Sequence, residues 1–169
     1  LVWTGVASVS PQAGTSQNDG WGFGNYATLA NFQSGIWVYL GNSLFVSLLT
    51  VALTLLVSFF GGYAFARFSF PGKNLLFLLV LAILMVPYAT LLIPLYVILN
   101  AVGLQNSLVG VALVLTMFQL PFSMFMMRIS FESVPRELDE AALVDGCTSF
   151  SALRRVLLPA VKPGLITVG

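Results

Sequence analysis

The sequence predicts an all-α, polytopic membrane helical bundle with three full spans and the start of another. Three observations carry that prediction. Of 169 residues, 58% are apolar and only 8% are charged, against the roughly one-quarter charged content of soluble domains. No charge stands between Asp19 and Arg67, nor between Lys73 and Arg128, and about 20 apolar residues suffice for a helix to cross the hydrocarbon core. The 7 basic residues fall in two places only: Arg67 and Lys73, then Arg128, Arg136, Arg154, Arg155 and Lys162. Buried helices of a soluble protein would not need uncharged runs of such length.

Residues 1–35 are expected to hold the tail of a preceding span, Leu1 to Val9, followed by an external loop rich in Gly, Ser, Asn and Gln. Trp21, Phe23 and Tyr26 are its candidate interfacial anchors. The start at Leu1 and the apolar run Leu165 to Val168 at the end read as a piece of a longer chain, and no basic segment precedes an apolar stretch as in a signal peptide. The transmembrane part is residues 36–169. Its first span is placed at about 37–66, where the apolar heart from Leu44 to Ala64 covers roughly 31 Å as a helix. Arg67-Phe-Ser-Phe-Pro-Gly-Lys73 makes a polar turn, and a second span is expected at about 75–94. Asn100, Gly103, Gln105 and Asn106 then interrupt the apolar pattern, which suits a short helix in the interface. A third span is expected at about 108–127, a charged loop at about 128–162, and a further span from about 158 onward.

Orientation follows from the basic residues, since short loops rich in Lys and Arg stay in the cytoplasm. Alternation across three spans puts the loops at 67–73 and 128–162 on one side, and both are basic. Other classes find little support. There is no His, and Cys147 is alone, so disulfides and His/Cys metal sites are excluded within the chain. A net charge of +1 without a basic, aromatic-rich cluster gives no nucleic-acid footprint. Glu132, Glu137, Asp139, Glu140 and Asp145 crowd one loop, with no accompanying cleft residue or phosphate cradle for two-carboxylate chemistry.

The long loop reads as two helices. Pro135 suits a first helical turn, Glu137, Asp139 and Glu140 lie near the positive end of its dipole, and Gly146 is placed to end it. Leu138, Ala141 and Ala142 share a face at helical spacing, and the paired alanines leave a surface that another backbone can approach closely. A second helix is expected from Ser149 to Leu157, with Phe150, Leu153 and Leu157 on one side and Pro159 closing it.

These residues carry a resemblance. Glu140-Ala141-Ala142, then Gly146, Val156 and Leu158-Pro159 resemble the EAA loop of ABC importer permeases, with Val156 where the family usually has Ile. Met85 to Tyr96 (MVPYATLLIPLY), Gly103 to Ser107 and Val134 to Glu140 are similar to the carbohydrate branch, in particular to permeases of the second maltose-type subunit. The resemblance implies a type I permease that binds no cofactor itself. ATP and Mg would sit on a separate ATP-binding cassette ATPase dimer, with the loop seated in its cleft through Glu140, Ala141, Ala142, Asp145, Gly146 and Pro159. A second permease subunit and an external solute-binding protein complete the implied assembly in the lipid bilayer. Closure of the ATPase dimer around ATP would then turn the spans from inward-facing to outward-facing. Other solutes of such importers, a glycerol phosphate ester, a peptide or a polyamine, stay open, as does a membrane scaffold or sensor.

Within the spans, Ser43, Ser47, Thr50, Thr54 and Ser58 recur on one helix face. Such a stripe either lines a solute path or packs helix against helix, with hydroxyls bonded back to their own backbone. Gln119 lies deep in the third span, and bonds a neighbouring helix or faces the path. Tyr88, Phe118, Gln119 and Phe122 are the types that stack on and hydrogen-bond a sugar. Ser47, Thr54, Tyr88 and Gln119 are therefore the candidate path residues.

Overall fold

The structure, a computed structural model, describes residues 1–10, 21–30 and 35–169. Every regular element among them is helical. The chain divides into two compact units, Leu1–Phe45 and Val46–Gly169.

In the first unit, α1 (Val2–Val9) is followed by α2 (Gly24–Ala30), where a loop was expected. Asn25 explains the difference. Its side-chain amide donates to the carbonyls of Ser8 (3.0 Å) and Ser10 (2.9 Å), groups that the end of α1 leaves without intrahelical partners. The Tyr26 hydroxyl donates to Ser8 Oγ at 2.8 Å. Trp21, Phe23 and Tyr26 are all exposed. Residues 11–20 and 31–34 of the expected loop lie outside the described residues.

α3 (Ile36–Arg67) is an unbroken helix of 32 residues. It ends where Pro71-Gly72 turns the chain, Gly72 taking φ 80°, a conformation that costs a side-chain-bearing residue energy. Lys73 Nζ donates to the Phe68 carbonyl at 3.1 Å and closes the turn.

The second span departs from expectation. α4 (Lys73–Ala82) runs through a 3-10 turn (Ile83–Met85) and breaks before α5 (Tyr88–Ala101), with a 104° bend between the two parts. Pro87 is the cause: its ring pushes the preceding residue out of the helical region, and Val86 is extended at φ −79°, ψ 124°. Pro94, the expected end, is instead internal to α5. The helix expected in the interface is the second half of α5, after which Gly103 and Asn106 at positive φ reverse the chain.

Ser107 caps α6 (Leu108–Glu132), its Oγ accepting from Gly110 N at 2.9 Å. α6 extends five residues past the expected 127, through an Arg128–Glu132 ion pair of 2.8 Å on its last turns. Arg128 also lies 4.1 Å over the Phe77 ring, which ties α4 to α6. α3 and α6 are long and apolar enough to cross a membrane, and α4 with α5 makes a third candidate if counted as one bent span.

Lipid tails are as apolar as leucine, so membrane helices associate through close packing rather than water exclusion. Gly62 provides it here: a Cβ built on it would lie 2.6 Å from Met127 Cβ and 2.9 Å from Met127 C. Below this crossing, Ala66 of α3 and Met127 and Phe131 of α6 form a core with Val134, Leu153, Leu157, Val161 and Val168. Phe131 is fully buried, its ring 5.3 Å from Phe59 and 5.4 Å from Tyr63. Phe131→Ala is expected to cost about 3–5 kcal/mol, read as a lower unfolding temperature of the full-length protein in detergent.

Candidate functional site

The loop after α6 begins with Val134-Pro135. Pro135 caps α7 (Arg136–Val144), with Glu137 and Asp139 in its first turn. The helix ends in a glycine reversal built from two hydrogen bonds, Cys147 N to Ala142 O (3.0 Å) and Gly146 N to Leu143 O (3.0 Å), with Gly146 at φ 84°. This is the Schellman pattern, and it satisfies carbonyls that a helix end would leave open. Thr148 then caps α8 (Ser149–Ala152), its Oγ1 accepting from Ser151 N at 3.3 Å.

Two expectations about the second loop helix are corrected. It does not stop at Leu157, because a π-helical turn (Leu153–Leu157) leads into α9 (Leu158–Ala160), and the chain turns only at Val161 before α10 (Lys162–Val168). Pro159 is thus carried inside a continuing helical path rather than closing it. A proline clashes with the carbonyl four residues earlier, and a wider preceding turn relieves such crowding. Nor do Phe150, Leu153 and Leu157 share a fate: the leucines are buried, whereas Phe150 is exposed.

The EAA residues also divide. Ala142 is 6% exposed and packs within the chain, and Leu138 is exposed, so the expected shared face of Leu138, Ala141 and Ala142 does not form one open surface. Glu140, Ala141, Asp145, Gly146 and Pro159 are exposed. Glu140 has no ion-pair partner among the described residues. Leu143 and Val144, at helical spacing from Glu140, are exposed beside it, so α7 presents a carboxylate flanked by apolar side chains.

Sequence reasoning missed how this loop is fastened. Arg67, read only as a topological charge, has a side chain 8% exposed, and its Nε lies 2.8 Å from Asp139 Oδ2. The contact has an ion-pair distance without hydrogen-bond alignment, and Asp139 Oδ1 has no hydrogen-bond partner among the described residues. Arg67 Nη2 donates to the Val134 carbonyl at 3.0 Å, and Arg136 Nη2 donates back to the Ala66 carbonyl at 3.4 Å. The available signal was an arginine ending an apolar helix, which must find an anion or carbonyl; the choice among five loop acids is tertiary.

A second feature is a pocket of about 300 Å³ lined by Ser47, Thr50, Val51, Thr54, Leu115, Gln119, Val168 and Gly169. Three of the four candidate path residues, Ser47, Thr54 and Gln119, meet there. The fourth does not: Tyr88 stands edge-on to Phe118, ring centroids 4.6 Å apart. The hydroxyl stripe splits between its two readings. Ser58 is buried and bonds back to Leu55 O at 3.4 Å, and Thr50 reaches across to Ala112 O at 3.4 Å. Thr54 is 2% exposed, and its hydroxyl has no hydrogen-bond partner among the described residues.

Two candidate membrane-crossing helices, a bent helix pair that makes a third if counted as one span, and a capped helical loop are the architecture of a helical membrane protein. The family model for the binding-protein-dependent transport system inner membrane component matches residues 58–168. The chain belongs to that family. It is 36% identical over 173 residues to the sulfoquinovosyl glycerol transport system permease protein SmoH of Agrobacterium fabrum, covering 99% of this chain and 61% of that protein. It is 35% identical over 157 residues to the diacetylchitobiose uptake system permease protein DasC of Streptomyces coelicolor, covering 90% and 56%. With the arabinooligosaccharides transport system permease protein AraQ of Halalkalibacterium halodurans it shares 38% identity over 144 residues, covering 82% and 51%. The chain thus spans between half and two-thirds of the length of these relatives. Its fold matches a chain in the crystal structure of a bacterial ABC transporter involved in the import of the acidic polysaccharide alginate, with a TM-score of 0.80 at 22% identity, over 99% of this chain and 60% of that one.

Proposed function

We propose that this chain belongs to the membrane-spanning permease subunit of an ATP-driven, binding-protein-dependent importer of a sugar or sugar-like solute. Its loops at 67–73 and 128–162 face the cytoplasm, where the basic residues concentrate. The observation that carries the reading is α7, which holds an exposed Glu140 without an ion-pair partner among the described residues, on a helix bounded by Pro135 and the Gly146 reversal. A rigid exposed helix suits docking in the cleft of a soluble subunit. Glu140, Ala141, Asp145, Gly146 and Pro159 form the contact, while Ala142 secures the helix from behind. ATP and Mg act on the ATPase dimer, and its closure moves the loop and turns the spans outward to receive solute from the binding protein. A second permease subunit completes the pathway.

The sugar assignment is supported by the solutes for which SmoH, DasC and AraQ are named. Ser47, Thr50 and Gln119 supply the hydroxyl and amide groups that replace a polyol's hydration. Uptake by proteoliposomes of the full-length protein with its ATPase, partner permease and binding protein, over a panel of sugars, polyols, phosphate esters, peptides and polyamines, tests the reading. ATP-dependent uptake confined to sugars or polyols supports it; uptake of peptides or polyamines alone rejects it. Gln119→Leu is expected to raise the solute concentration for half-maximal uptake about fivefold, the effect of losing roughly one neutral hydrogen bond.

A further inference from the structure

We infer that Arg67 is a positioning residue that joins α7 to the end of α3, so that displacement of the loop is passed to α3 and α6 as one rigid piece. The inference rests on the permease reading above, and concerns how the loop is coupled rather than what it docks on. Arg67 leaves α3 at its last turn, where a cation complements the helix dipole. Its guanidinium works in two directions, on Asp139 at 2.8 Å and on the Val134 carbonyl at 3.0 Å. Arg136 makes the reverse connection, from α7 back to the Ala66 carbonyl at 3.4 Å. One tie allows a swivel; two ties of opposite sense fix an orientation.

The surroundings stiffen this joint. Ala66, Phe131, Val134, Leu153 and Leu157 pack beneath it in a single core. Five residues earlier, Gly62 brings the α3 backbone against Met127 and Arg128 of α6. The Arg67 side chain is 8% exposed, so water screens the pair weakly, and charge pairs act more strongly where the dielectric is low. Asp139 Oδ1 is buried without a hydrogen-bond partner among the described residues. Removing Arg67 would therefore leave a poorly solvated carboxylate uncompensated, which drives α7 away from α3. Glu140, the next residue, would then move with the ATPase while the spans lag.

The test compares full-length complexes in proteoliposomes carrying Arg67→Met, Asp139→Asn, both together, or Arg67→Lys. Solute taken up per ATP hydrolysed is measured alongside co-purification of the ATPase. Arg67→Met and Asp139→Asn are each expected to lower uptake per ATP about tenfold, as for one charge-assisted contact, with the ATPase still bound. The double variant should be no worse than Arg67→Met alone, because the Arg67–Asp139 contact is already lost there. Arg67→Lys should fall between, since a lysine keeps the charge but lacks the planar fork. Wild-type coupling in both single variants, or losses that multiply in the double, overturns the inference. If Arg67→Met fails to reach the membrane, Asp139→Asn, which keeps the side-chain shape, decides alone. A wild-type chain that binds no ATPase overturns the permease reading itself, an outcome distinct from a bound ATPase with unaltered coupling.

Discussion

Glu140→Lys is expected to abolish solute uptake while the full-length chain still reaches the membrane in normal amount. The side chain is exposed and has no ion-pair partner among the described residues, so reversing its charge should change folding stability by no more than about 0.5 kcal/mol. The proposed docking is different, because a carboxylate seated in a cleft would have its partners arranged around a negative charge. Breaking such a desolvated pair costs about 3–5 kcal/mol, which weakens binding by about a hundredfold or more. Co-purification of the ATPase should be lost together with uptake. Normal ATP-driven uptake by this variant would sink the docking role of α7.

The second large effect is expected at Gly62, and its neighbour supplies the control. A methyl group at Gly62 would meet Met127 Cβ at 2.6 Å, Met127 C at 2.9 Å and Arg128 N at 3.0 Å, two of which are backbone atoms. A rigid helix cannot yield locally, so α3 and α6 must separate. Gly62→Ala is expected to destabilise by about 3 kcal/mol, the upper range for overpacking, and a larger side chain by more. At Gly61 the nearest atom is Met124 Cε at 2.7 Å, the mobile end of a flexible side chain. Gly61→Ala should therefore cost less than about 1.5 kcal/mol. Thermal unfolding of the two purified full-length variants in detergent checks the pair, and equal losses would contradict the close crossing at Gly62.

Local signals were legible wherever the chemistry is confined to a few neighbouring residues. Pro135 and Gly146 bound α7 through backbone geometry that a proline and a glycine impose by themselves. Proline illustrates the limit. Pro87 breaks a helix pair by 104°, whereas Pro94 and Pro121 lie inside continuous helices. All three lack an N–H, and what differs is how neighbouring structure accommodates the freed carbonyl. The hydroxyl stripe is similar. Its spacing puts Ser47, Thr50, Thr54 and Ser58 on one face, but where α6 and α10 meet that face decides that Ser58 is packed while the others line a pocket. Tyr88 was grouped with Gln119 by residue type, and the bend at Pro87 sets it on Phe118 instead.

The sequence alone determined that this is an apolar, helical membrane chain with a charged two-helix loop, because hydropathy, basic-residue placement and capping act over short stretches. It also singled out Glu140 and Gly146. Only the tertiary structure decided that Ala142 turns inward, that α3 and α6 meet at Gly62, and that Arg67 selects Asp139. These are contacts between residues 65 to 72 positions apart, and nothing along the chain encodes which partner lies within 3 Å until the helices have crossed.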